Sequence, residues 1–354
     1  MLTYREKLET VESLEPSEIH STLSLAIRNL MLEQVTGDVE EETAAVRELA
    51  ARLRREVPFF EMNRRDPFRA VAGIDAGSQI LPLASRRYAV ISALVYSLPS
   101  CSRFFLAPES LMFPYTLAGD RLKGVVSVRR EAKLYETACS FIEAHQEVGL
   151  VLVDGPLAFS NWWSMTGERR DRQRLIDAVN RFLRLCMDGE IVVAGVVKRP
   201  SARYLVYHLG LKEETDLPDA FLLLQALRPG ERTGVFSPRA ALRRVVRVAP
   251  FMDAVCCPIY SFYGRFSRDW SIPPIRIDLP AFSLGYLDEV ADYCYGSSLW
   301  NGIPLPIMRA DEDVRISKRF MAEVYAEIVG RVGRRTGEVS QLAPYWGEGK
   351  WMGA

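Results

Sequence analysis

The chain is poor in several of the residues that carry protein chemistry. Its 354 residues include three histidines (His20, His145 and His208) and six cysteines without a C-x-x-C pair, which argues against a zinc centre. Cys101, Cys139, Cys186, Cys256, Cys257 and Cys294 follow no framework spacing, so reduced, mostly buried thiols are expected. Charge of either sign is not in excess. Forty-five basic residues balance forty-five acidic ones, so no bulk field draws the protein to nucleic acid or membrane, and a polyanion site must be a local patch. Lysine is scarce, seven against thirty-eight arginines; codon usage in a GC-rich genome is favoured over guanidinium recognition of phosphate as the cause. No apolar run approaches the roughly 18 residues of a membrane span, and the charged start MLTYREKLET has no signal-peptide core. A cytoplasmic chain is the expectation. What is present, 48% hydrophobic and 25% charged residues, excludes a disordered protein.

Hydrophobic periodicity divides the chain into a helical arm over 1–66, an α/β domain over 67–335 and a loosely ordered tail over 336–354. In the arm, Ser17 is placed to cap a helix to about residue 35, Gly37-Asp38 breaks it, and a second helix runs to Val57 before Pro58. Such an arm serves either dimerisation and docking or as a layer over the sheet. From residue 70 the period becomes that of strands: 70–74, 88–96, 103–106, 124–128, 150–153, 191–197, hairpin-like strands within 242–263, and 275–279. Helices are expected over 129–147, 169–187, from a capping Asp219 to Leu227, near 284–295 and over 311–333. One α/β domain with an N-terminal helical arm accounts for this order.

Acidic residues stand where buried strands end. Asp75 follows the apolar run 70–74 and Asp154 follows 150–153. If the strands are neighbours, both carboxylates project into one crevice at the sheet edge, and their repulsion invites Mg²⁺ or Mn²⁺. The helix over 129–147 offers a third ligand. Taking Leu134, Ala138, Phe141 and Ile142 as the apolar face, Glu131 falls about 20° from its centre, and Glu136 falls about 160° away with Glu143 and Glu147. Glu131 is therefore preferred to Glu136. D-x-G and D-G-P are also ordinary turn chemistry, and for either Asp alone that reading is at least as good. The order strand–Asp, further strands, helix–Glu, strand–Asp fits a ribonuclease H-like mixed sheet flanked by helices. It also fits the actin and sugar-kinase plan, whose first phosphate loop reads like Gly73-Ile74-Asp75-Ala76-Gly77-Ser78.

Seven segments in order then carry a resemblance. They are Gly73–Ser78, Arg130-Glu131, Leu152–Leu157, Gly195–Arg199, Asp219–Leu227 with Pro229–Thr233, Pro274–Pro280, and Asn301–Pro306. Over about residues 70–330 the chain resembles the NurA family of nucleases, ribonuclease H-like enzymes that partner HerA-type hexameric translocases. The resemblance implies a homodimeric deoxyribonuclease dependent on Mn²⁺ or Mg²⁺, with two ions per site and no sequence preference. It implies 5′–3′ exonuclease action on single- and double-stranded DNA, with single-strand endonuclease activity, in DNA end resection and double-strand-break repair. Asp75, Glu131 and Asp154 correspond to the family's metal ligands and Lys198 to its lysine near the scissile phosphate. Two positions depart from the family: Ile303 replaces Tyr in Gly302-Ile303-Pro304, and Asp311 replaces His after Ala310. Asp311 is either a fourth metal ligand or a helix cap.

In that reading Lys198 and Arg199 hold the phosphate, and Arg232 and Arg276 are candidates for DNA backbone contacts, with surface ion pairs as the slightly favoured alternative. Trp162-Trp163 either stack on unpaired bases or pack in the interior. A kinase would need a second Gly-rich phosphate loop, and Asp154-Gly155-Pro156 puts proline where a phosphate-cradling amide is required. An inactive scaffold that binds the translocase is the remaining alternative.

Overall fold

A computed structural model of the protein describes residues 16–83, 86–159, 168–245 and 250–342. The chain forms two compact units, Met1–Glu56 and Val57–Ala354. The described residues of the first form one helix, α1 (Pro16–Glu56). The break expected at Gly37-Asp38 does not occur, and Ser17 lies inside the helix rather than capping it. One internal glycine costs a helix about 1 kcal/mol, which 41 residues of continuous hydrogen bonding absorb.

The described residues of the second unit include ten strands: β1 (Phe59–Glu61), β2 (Val71–Pro82), β3 (Arg86–Leu98), β4 (Ser102–Phe105), β5 (Glu109–Pro114), β6 (Leu150–Asp154), β7 (Val192–Val197), β8 (Glu231–Thr233), β9 (Ile259–Gly264) and β10 (Ile275–Pro280). Its helices are α2 (Gly119–Ala144), α3 (Arg169–Asp188), α4 (Tyr204–His208), α5 (Asp219–Ala226), α6 (Pro238–Arg243), α7 (Pro250–Ala254), α8 (Leu287–Ser297), α9 (Leu305–Val314) and α10 (Lys318–Thr336). One mixed sheet runs β1-β8-β9-β10-β7-β6-β2-β3-β4, with β5 also pairing β3. β2, β6 and β7 are parallel neighbours; β3 pairs β2 antiparallel, and β10 pairs β7 antiparallel. This is the mixed α/β architecture expected from the sequence. Leu150–Val153 are buried throughout, as a central parallel strand requires.

Alternation along the strands separates two cores. Ala72, Ile74, Val151, Val153 and Val193 face α2 and α3, which bury rows such as Val128, Ala132 and Tyr135, and Leu175, Val179 and Phe182. Val71, Leu150, Leu152, Val192, Ala194 and Val196 face the other way, toward Val290, Ala291 and Cys294 of α8 and Ile307 of α9.

Several expected elements differ. Residues 124–128 are not a strand but lie within α2, where Leu122, Val125 and Val126 are buried at helical spacing; packing overrides the β-preference of valine. The edge strand β5 was not anticipated. Instead of hairpin strands through 242–263, only β9 is extended among the described residues, preceded by the short α6 and α7. The last helix divides into α9 and α10, and Ser317 caps α10 by accepting a hydrogen bond from the Phe320 amide at 3.1 Å. Three cysteines are buried, Cys257 is half-buried, and Cys101 and Cys256 are exposed. No helix among the described residues is long and apolar enough to cross a membrane.

Candidate metal centre

The parallel register of β2 and β6 pairs Ile74 with Val153, so the next residues, Asp75 and Asp154, stand side by side. Ile74 and Val153 enter the α2/α3 core; by alternation the two carboxylates point to the opposite face, where α9 lies. Gly73 and Gly77 flank Asp75 on that face. A Cβ on Gly73 would sit 2.3 Å from the carbonyl carbon of Pro306, and one on Gly77 would sit 2.6 Å from the Val314 oxygen. The glycines thus allow α9 to rest directly on the strand backbone. Pro306 to Val314 spans about 12 Å of helix and Gly73 to Gly77 about 13 Å of strand, so the two run parallel at matched length. Asp311 comes down over Asp75.

Ligand oxygens of Asp75, Asp154 and Asp311 all lie within 4.8 Å of one another. Lys198, just past the end of β7, donates to Asp154 Oδ2 at 2.6 Å and to Asp311 Oδ1 at 2.9 Å. Asp75 Oδ1 accepts from the Ala76 amide at 2.6 Å. Burial, and then the charge of Asp154, push the Asp75 carboxyl up to about 8. Burial also raises Asp154 against the pull of Lys198. At the more open Asp311, burial opposes ionisation, but the hydrogen bond and charge of Lys198 prevail and lower its pKa. Lys198 is itself raised: burial works against its charge, and Asp154 outweighs that. Fully ionised, three carboxylates against one ammonium leave a formal −2 in a half-buried crevice. At about 3–4 kcal/mol of repulsion per carboxylate pair, such a set either keeps a proton or takes up a cation. Convergent hard oxygen donors suit Mg²⁺ or Mn²⁺.

The sequence placed other residues in or near this site. Glu131 lies outside the three-carboxylate group, so the set expected from the sequence, Asp75, Glu131 and Asp154, is not the one that geometry assembles. Its side chain is largely buried on the sheet-facing side of α2, and its Oε1 accepts from Arg130 at 2.7 Å. Arg130 in turn feels the charge of Glu131 first and then, more weakly, that of Asp75 and Asp154. Glu136 is engaged elsewhere, with Arg174 at 2.7 Å beside Glu109. Asp311 is the seventh residue of α9, whose N-cap is Pro304; it is not a helix cap. Arg199 is exposed next to Lys198.

Arg232 and Arg276 are not surface groups. Arg276 is buried and forked onto Asp278, with Nε–Oδ1 2.8 Å and Nη2–Oδ2 3.0 Å. Arg232 is buried over the Phe60 ring and paired with Asp288. Neither is free for a DNA backbone. Trp162-Trp163 lie outside the described residues.

A residue that sequence reasoning missed is Asp278. Fully buried, it accepts from the amides of Leu157 and Ala158 at 3.1 Å each and from Ser261 Oγ at 2.6 Å, besides holding Arg276. It fastens the turn that follows Asp154. The signal was a charged pair inside an otherwise apolar strand, Ile275-Arg276-Ile277-Asp278-Leu279. Asp219 plays a similar part: it does not cap its own helix, whose N-cap is Pro218, but accepts from the Leu205 and Val206 amides of α4 and from the Tyr263 hydroxyl.

No curated protein matches this chain by sequence. Among solved structures, it is similar to the NurA nuclease from Sulfolobus solfataricus at 16% identity and a TM-score of 0.62, covering 87% of this chain and 97% of that one. A NurA structure with manganese is similar at 10% identity and a TM-score of 0.54, covering 86% and 98%. One bound to dAMP and manganese is similar at 11% identity and a TM-score of 0.52, covering 85% and 96%. These likenesses concern the fold. The family model described as the NurA domain matches residues 69–316, which include β2, β6, β7 and α9 with all four charged groups of the crevice, and the chain therefore belongs to the NurA domain family.

Proposed function

We propose that the protein is a divalent-metal-dependent deoxyribonuclease and that Asp75, Asp154 and Asp311 hold the metal, with Mn²⁺ or Mg²⁺ as the ion. The observation that carries this reading is the convergence of three carboxylates from two adjacent strands and one helix, with a single compensating lysine. Membership of a nuclease family and relatives solved with manganese and dAMP support it. A bound divalent ion supplies Lewis-acid charge at phosphorus and makes water a competent nucleophile near neutral pH.

The chain's own residues have separable tasks. Asp75 and Asp154, fixed by paired strands, set the position of the ligand oxygens; Asp311, on a helix that glycines seat against the strand, closes the set. Lys198 carries the positive charge of the crevice, and a phosphate oxygen arriving there accepts the hydrogen bonds that Asp154 and Asp311 now take. Glu131 is the further carboxylate available to a second ion, once Arg130 turns from it to a phosphate. Arg199 adds a phosphate contact, and such contacts carry no base identity. The same reading includes a homodimer, a HerA-type translocase as partner, and 5′–3′ digestion from DNA ends in end resection.

Degradation of end-labelled linear DNA by the wild type and by Asp75→Ala, with Mn²⁺, Mg²⁺ or EDTA, tests the proposal. Metal-dependent digestion that falls at least 100-fold in the variant is expected. No digestion under any metal, with a HerA-type partner also present, would leave a translocase-binding scaffold in its place.

A further inference from the structure

Two tryptophans are the most exposed large apolar side chains among the described residues, Trp270 at 80% and Trp300 at 76%. Indoles are ordinarily well buried, and holding two in water forgoes a large burial gain. They do not sit on loose loops. Trp270 lies in the turn Ser267–Ile272, closed by Ile272 N donating to Asp269 O at 3.3 Å and by the Asp269 amide donating to Ser267 Oγ at 3.0 Å. Trp300 lies in the turn Leu299–Gly302, closed by Gly302 N donating to Leu299 O at 2.9 Å. The two turns interlock. Ser267 Oγ donates to the Trp300 carbonyl at 2.6 Å, and Gly302, at positive φ, lies close enough that a Cβ there would sit 3.4 Å from Ser267 and 3.6 Å from Ile272. Each indole therefore projects from a backbone held in place by the other.

The position of this pair selects the occupant. The connection bearing Trp270 leaves the sheet beyond Ile275 of β10, one residue past the pairing of Arg276 with Val197, and so at the edge from which Lys198 and Arg199 emerge from β7. The turn bearing Trp300 leads within five residues into α9, which carries Asp311. Charge at the same edge fits a polyanion. Arg199 and Arg268 are both exposed and have no hydrogen bond or ion pair among the described residues, while the neighbouring Asp269 is occupied by the amide and hydroxyl of Ser271. Aromatic faces next to unpaired guanidinium groups, continuous with a phosphodiester-cleaving centre, are the composition of a single-strand platform.

We propose that the interlocked turns form a stacking platform for unpaired DNA bases, with Trp270 and Trp300 as the stacking faces and Arg199 and Arg268 as the phosphate contacts. The platform rests on the nuclease reading given above. It makes an unpaired strand, rather than an intact duplex, the form of DNA led toward the metal centre.

The test is binding of fluorescein-labelled oligo-dT and of a blunt duplex of equal length, by anisotropy in EDTA at fixed salt, to the wild type and to Trp270→Ala, Trp300→Ala and both together. Each alanine should weaken oligo-dT binding at least fivefold, while duplex binding changes less than twofold and Trp300→Phe retains most of the affinity. Thermal melting of the variants confirms that they fold, as surface substitutions should. A wild type that binds and digests DNA, with variants that bind oligo-dT equally well, would overturn the platform alone. A wild type that neither binds nor digests DNA would overturn the nuclease reading with it. If the alanine variants instead lose only self-association, measured by light scattering over a concentration series, the indoles bury against a second copy and the platform is wrong.

Discussion

At Asp75 a carboxyl group is held near a second one where the pairing of β2 with β6 ends, and its affinity for a proton reports how strongly the crevice seeks positive charge. In the folded, metal-free protein it titrates at about 8, against 3.8 in the unfolded chain. Between those values the folded state keeps a proton that the unfolded chain has released. Raising the pH from 4 to 8 without metal should therefore cost stability through this group. A divalent cation displaces that proton, so the melting shift produced by Mg²⁺ should grow from pH 6 to pH 8. A shift that is flat or larger at pH 6 would contradict this reading of the crevice. Asp75→Asn removes the buried charge and should raise the metal-free melting temperature at pH 8 by about 1–2 °C for each kcal/mol relieved, while abolishing the Mg²⁺-dependent shift. The run through Ile74 was legible as a strand and Asp75 as a candidate ligand, but the strand end expected at Asp75 does not occur, because pairing with β3 carries β2 on to Pro82. That Gly73 and Gly77 serve helix seating was not legible, because nothing in the local sequence says what lies above the strand.

At the scale of elements, the site depends on how closely α9 approaches β2. Gly73→Ala places a methyl group inside the Pro306 carbonyl, so the helix must lift or the strand must bend. Overpacking of this kind costs about 1–3 kcal/mol, and a displacement of Asp311 by about 1 Å should lower activity on the order of 100-fold. Melting and end-labelled digestion measured together would show whether activity falls further than stability, as expected. Asp278→Asn tests the buckle behind Asp154. It keeps the shape but leaves Arg276 buried against a neutral partner, and a loss of about 3–5 kcal/mol in urea unfolding is expected. Element boundaries were less legible than element types. The buried row that begins at Leu122 and Val125 made helix of a valine-rich run that reads locally as strand. Asp311 seemed to open a helix because the chain turn at 315–317 leaves a weak mark in the sequence, whereas it sits inside α9 over the acidic pair.

At the scale of the molecule, α1 is a 41-residue helix on which Leu23, Ile27, Leu30, Met31, Val35 and Val39 are all about half exposed. In the homodimer proposed above, this apolar row is the surface that a second copy would cover. The proposed homodimer should have twice the 40.0 kDa chain mass in light scattering. Ile27→Glu with Leu30→Glu should return it to the monomer mass while the Mg²⁺ melting shift persists; a monomeric wild type would remove this role from α1. Sequence by itself determined the mixed α/β class, the strands that carry Asp75 and Asp154, and the helical character of the arm, because each follows from periodicity and composition within a single segment; that β2 continues past Asp75 to Pro82, while Asp154 does end its strand, came from the structure. Only the tertiary structure decided that Asp311 joins the two aspartates, that Glu131 is held by Arg130, and that Arg232 and Arg276 are buried. Those outcomes rest on which face of the sheet each helix covers and how closely it approaches, and such relations between distant segments are fixed by packing.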